Sequence, residues 1–146
     1  TDKLTTLYSR AMMDVVLSTE VQRAERFSFP IGLIVFDVDK LSDINLRSGY
    51  GVGDRVLERL GILIRQFFRQ DDWVFRHGDD SIAVLLCQTS ADDAFFLASR
   101  VVAMVEQPCE HLGCRLTIGT PVFATRCQRS LPVRLSKQAT MNLCSV

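Results

Sequence analysis

The sequence predicts an α/β chain of the α+β sandwich kind, with helices packed on one central mixed sheet. Three observations carry that prediction. The stretch from Trp73 to Leu86 reads as a β-hairpin: an aromatic, β-branched run enters, Gly78 and Asp79 turn, and an apolar run leaves. Residues 31–37 form a second apolar run of strand length, ending on a carboxylate. Between these lie segments with helical periodicity, in the order helix, strand, helix, helix, hairpin, helix, strand, and helices that alternate with strands in this way cover a single sheet.

Taken in order, residues 7–26 read as a helix. Leu7, Ala11 and Val15 recur at helical spacing with Met12 and Val16, and Pro30 marks the stop. The strand at 31–37 follows. Asp37-Val38-Asp39-Lys40-Leu41-Ser42-Asp43-Ile44-Asn45 then leads into a short helix. A backbone that leaves a strand and opens a helix points several N–H groups into one space, which suits a phosphate; acids at a helix start also complement its dipole. Gly49 to Asp54 reads as a glycine-punctuated loop, but no strand feeds it, so it lacks the dinucleotide-binding pattern. The next helix has the clearest apolar face, through Val56, Leu57, Leu60, Leu63, Ile64, Phe67 and Phe68, and ends at Arg69-Gln70-Asp71-Asp72.

In the hairpin, Ile82 to Leu86 is apolar on both faces and is expected to be a central strand covered on both sides. Carboxylates at the tip of such a hairpin require partners or a metal if they are buried. Ser90 with Asp93 three residues on resembles a capping box for a helix through Val105. Residues 115–119 read as a strand limited by Pro121, and residues 130–141 hold at most one short helix.

Composition bounds the function. A chain of 146 residues is one domain with room for a core. Its 17 basic and 17 acidic residues cancel, which gives no reason to expect nucleic-acid or membrane-surface binding. No stretch has the length and apolarity of a membrane span, no signal peptide is recognisable, and the chain opens in mid-phrase at Thr1-Asp2-Lys3. The expectation is a cytoplasmic domain excised from a longer multidomain protein. The five cysteines, Cys87, Cys109, Cys114, Cys127 and Cys144, show no CxxC spacing and read as reduced thiols, Cys87 as a small buried hydrophobe. His77 and His111 lack a local ligand pattern.

Asp37 at a strand end and Asp79 and Asp80 at the hairpin tip become neighbours if the two elements pair. Carboxylates so placed form a hard-oxygen site for a divalent cation, most simply Mg²⁺, as used in phosphoryl or nucleotidyl transfer.

Over nearly its whole length the chain resembles the GGDEF domain, the diguanylate cyclase family. Asp2-Lys3-Leu4-Thr5-Thr6-Leu7-Tyr8-Ser9-Arg10 is similar to DxLTGLxNR, and Asp37 to Leu46 to DxDxFKxIND. Gly49 to Asp54 is similar to GHxxGD, and Arg76-His77-Gly78-Asp79-Asp80-Ser81-Ile82 stands where the family has RxGGDEF. The resemblance implies a palm-like, nucleotidyl-cyclase-like fold with a mostly antiparallel sheet. It also implies condensation of two GTP molecules to cyclic di-GMP between two facing domains, so a homodimer and flanking signalling domains fit it. In its terms Asp37, the Val38 carbonyl and Asp80 hold Mg²⁺. Leu41 and Ser42 lie beside the phosphates, and Asn45 and Asp54 read the guanine edge.

The departures argue against catalysis. Ser81 replaces the family's Glu, and a hydroxyl is no anionic metal ligand. Ser42 replaces a Lys, Asp79 replaces the second Gly, and the tail lacks the closing ALYxAKxxGRN pattern. The expectation is therefore a degenerate, non-catalytic domain in which Asp37, Asp80 and Ser81 are vestigial and Mg²⁺ is held weakly, with nucleotide. Arg69 and Asp72 stand at the spacing of the family's RxxD product site. This makes cyclic di-GMP the expected ligand, through an exposed ion pair of little weight in stability. The alternatives are an active cyclase with a variant signature, or a GTP-sensing or dimerisation module.

Overall fold

The computed structural model describes residues 7–118 and 122–124. The elements run α1 (Arg10–Phe27), β1 (Ile31–Asp39), α2 (Leu41–Ser48), α3 (Tyr50–Phe67), β2 (Trp73–Arg76), β3 (Ser81–Cys87), α4 (Ala91–Leu112), β4 (Arg115–Ile118) and β5 (Val122–Ala124). The sheet order is β2-β3-β1-β4, with β5 beside the first half of β1. Every pair of these strands is antiparallel. The sole parallel pairing among the described residues is the isolated bridge Tyr8 to Phe75. The sheet is thus the mostly antiparallel one expected, with its named strands antiparallel throughout.

Strand alternation divides the interior in two. Ile34, Phe36 and Val38 of β1 and Ile82, Val84 and Leu86 of β3 face a larger core with α3 and α4, around Leu57, Leu60, Ile64, Ala98 and Val101. Leu33 and Ile31, with Phe75, Ala83 and Leu85, face α1 through Met13, Val16 and Ala24. Residues 81–86 are all buried, as expected of a strand covered on both faces.

Four expectations shift. The helix expected from residue 7 starts at Arg10, because Tyr8 is drawn into the sheet: its N–H donates to the Val74 carbonyl at 3.2 Å and its carbonyl accepts from Arg76 N–H at 2.8 Å. Ser9 then serves as N-cap. The strand expected to end at Asp37 runs on to Asp39, where β4 pairs with it, Asp37 opposite Thr117 and Asp39 opposite Arg115. The glycine loop is largely helix, since α3 begins at Tyr50 and only Gly49, at φ 90°, breaks the chain. The helix expected through Val105 continues to Leu112. Ser90 caps it as expected, accepting from Asp93 N–H at 3.3 Å. Residues 2–6 of the opening motif, Gly119, Pro121, Cys127, Cys144 and the helix expected at 130–141 lie outside the described residues.

Candidate functional site

Antiparallel pairing sets Ser81 directly opposite Asp37, on the α1 face of the sheet. In the hairpin Arg76 pairs with Ile82, and Asp79 and Asp80 stay in the connecting turn, both exposed. His77 N–H and Gly78 N–H both donate to the Ser81 carbonyl, at 3.0 and 3.3 Å, and Arg76 Nε donates to the Gly78 carbonyl at 3.2 Å. From α1, Arg10 Nη1 donates to the His77 carbonyl at 3.1 Å. Asp79 takes no positive φ, so its side chain costs the turn no backbone strain.

The Asp80 carbonyl accepts from Val38 N–H at 2.8 Å. An extended strand turns the N–H and C=O of one residue to the same edge, so the Val38 carbonyl also faces the hairpin tip, between Asp37 and Asp80. Burial raises the Asp37 pKa, and the charges of Asp80 and Asp39 raise it further. A cation there relieves that repulsion. Two carboxylates and one carbonyl, all hard oxygens, fit Mg²⁺ of the kind that completes its shell with water and substrate phosphates. Among the described residues no three His, Cys, Asp or Glu side chains converge to hold a metal ion alone. Ser81 adds little to this set: its hydroxyl is buried and lies 3.0 Å from His77 Nδ1. Burial, then Arg10, lowers the His77 pKa, and the ring Nε2 is buried without a partner.

From Asp39 the chain passes through Lys40, at φ 65°, straight into α2. No side chain caps that helix, so its first N–H groups face the carboxylate end of β1, beside buried Leu41 and exposed Ser42. Asn45 lies on the inner side of α2 against Gly53 of α3, and its Oδ1 is buried without a hydrogen-bond partner. A Cβ at position 53 would overlap that amide, so Gly53 is what lets Asn45 sit there. Asp54, the next residue, is exposed.

The second candidate site lies toward the opposite end of β3. Arg69 and Asp72 are together, Arg69 Nε 3.8 Å from Asp72 Oδ2, but they are unlike: the Arg69 side chain is 70% exposed and that of Asp72 3%. Asp72 Oδ2 accepts from Arg69 N–H at 3.1 Å, and the nearby Cys87 N–H also favours the charged carboxylate. Burial still leaves its pKa raised. The pair is therefore not the exposed, stability-neutral ion pair read from sequence. Sequence reasoning also missed Arg65. Its Nη1 donates to the Asp72 carbonyl and its Nη2 to the Arg69 carbonyl, each at 2.7 Å. A basic residue in the last turn of α3, within reach of the carbonyls beyond it, was the available signal. Beside this turn is a cavity of about 680 Å³, lined among others by Arg23, Arg65, Asp72, Tyr8, Trp73 and Cys87. Cys87, read as a small hydrophobe, is half-buried, with its thiol 3.6 Å from Glu20 Oε2.

No helix among the described residues is long and apolar enough to cross a membrane. The family model described as "Diguanylate cyclase, GGDEF domain" matches residues 1–144. Diguanylate cyclase DosC of Escherichia coli is 29% identical over 128 residues, covering 84% of this chain and 28% of that protein. The chain spans 28% to 32% of the length of the curated relatives DosC, TpbB and PleD. Among solved structures, SiaD of Pseudomonas aeruginosa, in complex with its activator SiaC, superposes with TM-score 0.78 at 27% identity, covering 87% of this chain and 50% of that one. The GGDEF domain of DgcB from Caulobacter crescentus, in complex with cyclic di-GMP, gives TM-score 0.78 at 21% identity, covering 86% and 77%.

Proposed function

We propose, from the fact that this chain belongs to the GGDEF domain family of diguanylate cyclases, that it is a non-catalytic regulatory module whose ligand is cyclic di-GMP. The observation that carries the reading is the Arg69 turn. Arg65 and Asp72 tie the backbone of that turn at both ends, while the Arg69 guanidinium stands out from it. A guanidinium on a fixed base can make a bidentate contact to guanine O6 and N7, and little of its binding energy is lost to ordering the backbone. Asp72 is assigned to hold the turn and, when the ligand draws it outward, to accept from the guanine N–H edge. The aromatic rings that line the adjacent cavity, Tyr8, Phe29 and Trp73, suit a base. The relatives' cyclic di-GMP and activator complexes make flanking signalling domains and a protein partner the natural context.

The absence of catalysis rests on Ser81. It occupies the register position opposite Asp37 and directs its hydroxyl to His77. Mg²⁺, if bound with nucleotide, would be held by Asp37, Asp80 and the Val38 carbonyl, where it would neutralise phosphate charge. A second reading, GTP uptake without chemistry, is favoured by one observation: the buried, unpartnered Asn45 Oδ1 is an acceptor suited to a guanine N–H. Asp54 would share that edge.

Calorimetric titration of one preparation with cyclic di-GMP, and with GTP plus Mg²⁺, tests both readings. Cyclic di-GMP binds the wild type. Arg69→Ala weakens it about ten- to a hundredfold, the equivalent of roughly 1–3 kcal/mol, and Arg69→Lys does not restore it. Incubation with GTP and Mg²⁺ yields no cyclic di-GMP, and Ser81→Glu alone does not restore full turnover. Steady product formation abolished by Asp37→Ala would return the chain to the active cyclases.

A further inference from the structure

We propose that Cys109 and Cys114 form a reversible dithiol–disulfide site that exchanges with low-molecular-weight disulfides. The site is a product of the way α4 ends. Gly113 takes φ 74°, its N–H donates to the Glu110 carbonyl at 3.1 Å, and Cys114 N–H donates back to the Cys109 carbonyl at 2.9 Å. These two bonds make a Schellman C-cap. That motif brings the side chains of its first and last residues together, usually as an apolar contact. Here both are cysteines. Cys109 is 2% exposed and Cys114 6%, both belong to the larger core, and the 2.9 Å bond from Cys114 N–H to the Cys109 carbonyl holds the two residues side by side. The pairing spans five residues and escapes a search for CxxC, because it depends on the left-handed Gly113 rather than on one helical turn.

The contact also divides the chemistry between the two sulfurs. The closeness of the two thiols favours loss of a proton from Cys114 and opposes its loss from Cys109. Cys87, by contrast, is pushed up to about 11 by burial and by Glu20, and stays a thiol. The Cys114 thiolate attacks one sulfur of a small disulfide, the S–S bond breaks, and one thiol departs with the proton Cys114 released. Cys109 then gives up its proton and attacks Cys114 Sγ, expelling the second thiol. Two electrons pass from the protein to the small disulfide, and two small thiols form for each Cys109–Cys114 bond. Access comes through the end of α4, where Pro108 has no N–H to bond back into the helix, so the last turn opens at lower cost than the rest. The new bond would tie α4 to the start of β4, which pairs with β1 at Asp37 and Asp39.

The test is thiol trapping and peptide mass after equilibration of the purified chain in buffers from fully reduced to fully oxidised glutathione. Cleavage after Arg100 and Arg115 releases one peptide containing these two cysteines and no others. In the wild type that peptide becomes lighter by two hydrogens, reversibly with dithiothreitol, while Cys87 remains alkylatable. Cys109→Ser stops the reaction at a glutathione mixed disulfide on Cys114, and Cys114→Ser leaves Cys109 unreactive. The proposal is overturned if the wild-type peptide keeps two free thiols in oxidised glutathione while the urea-unfolded chain closes the bond, or if Cys87 reacts first.

Discussion

Replacing Gly53 by Ala separates what Asn45 does for a ligand from what it does for the fold. The added Cβ would overlap Asn45 Oδ1 and lie 2.6 Å from its Cγ and 2.9 Å from its Nδ2. Real contacts are not that short, so one group moves. The neighbour is the free end of a side chain, and Oδ1 has no hydrogen bond to lose. Displacing it to another rotamer costs about 0.5–1.5 kcal/mol. Against this, Ala in place of Gly within α3 gains about 0.5–1 kcal/mol. The net change in stability is within about 1 kcal/mol of zero, a Tm shift of no more than about 4 °C. The ligand effect is different in kind: with the amide displaced, GTP plus Mg²⁺ loses one oriented hydrogen bond, about tenfold or more in affinity. The double variant Gly53→Ala/Asn45→Ala has no overlap and keeps the helix gain, so it should be more stable than Asn45→Ala alone by about 0.5–1 kcal/mol. Urea unfolding and calorimetry on the four proteins decide the matter. A loss above about 2 kcal/mol in Gly53→Ala would mean that backbone, not the Asn45 amide, fills the space. Unchanged GTP affinity would remove Asn45 from the nucleotide site.

Other outcomes follow from the same geometry. Asp37 has its pKa raised above the ordinary 3.8 by burial and by Asp80 and Asp39, so the stability linked to its proton is present at acid pH and lost as pH rises through the raised value. Asp37→Asn should therefore raise Tm at pH 7, with the gain shrinking toward pH 4; melts across that range would expose a gain of the opposite trend. Arg65→Ala removes two charge-assisted bonds from the 69–72 turn and should weaken cyclic di-GMP binding together with stability, by roughly 1–3 kcal/mol in unfolding. Binding unchanged in a clearly destabilised variant would show that the turn is not the recognition element. Asp72→Ala should destabilise more than Arg69→Ala, since loss of the buried carboxylate leaves the Arg69 N–H unpaired while loss of the exposed guanidinium leaves no buried group unpaired.

The elements most legible in the sequence were those whose own residues decide them. Residues 82–86 are apolar at every position, and only a strand covered on both faces accommodates that. Ser90 announces its own cap. The misjudged boundaries were set by distant partners. Tyr8 leaves the helical pattern because β2 bonds its backbone, and β1 reaches Asp39 because β4, almost 80 residues away in the chain, pairs there. Gly51 and Gly53 read as loop on propensity alone, yet helix is tolerated because α2 packs so closely on α3 that one of these positions requires a missing side chain.

The same division separates the two candidate sites. Around Asp37 the residues are polar, strained by like charge or left unpartnered: a carboxyl raised in pKa, an orphaned Asn45 oxygen, and a helix start with no side-chain cap. Such features weaken a fold and persist where a ligand compensates them; the sequence pointed to the residues, Asp37 by its place at a strand end and Asn45 by family resemblance, and not to these states. Around Arg69 almost everything is satisfied, and the supports, Arg65 and the Cys87 N–H, come from the preceding helix and from a strand that passes the turn only after folding. A sequence displays the group that meets a ligand more readily than the groups that hold it still, because the first is fixed by chemistry and the second by where the chain returns. The turn is fixed from both ends with the Arg69 guanidinium outward. The charge at Asp37 is raised in cost by burial and by Asp80 and Asp39, while the hydroxyl opposite it, on Ser81, lies 3.0 Å from His77 Nδ1.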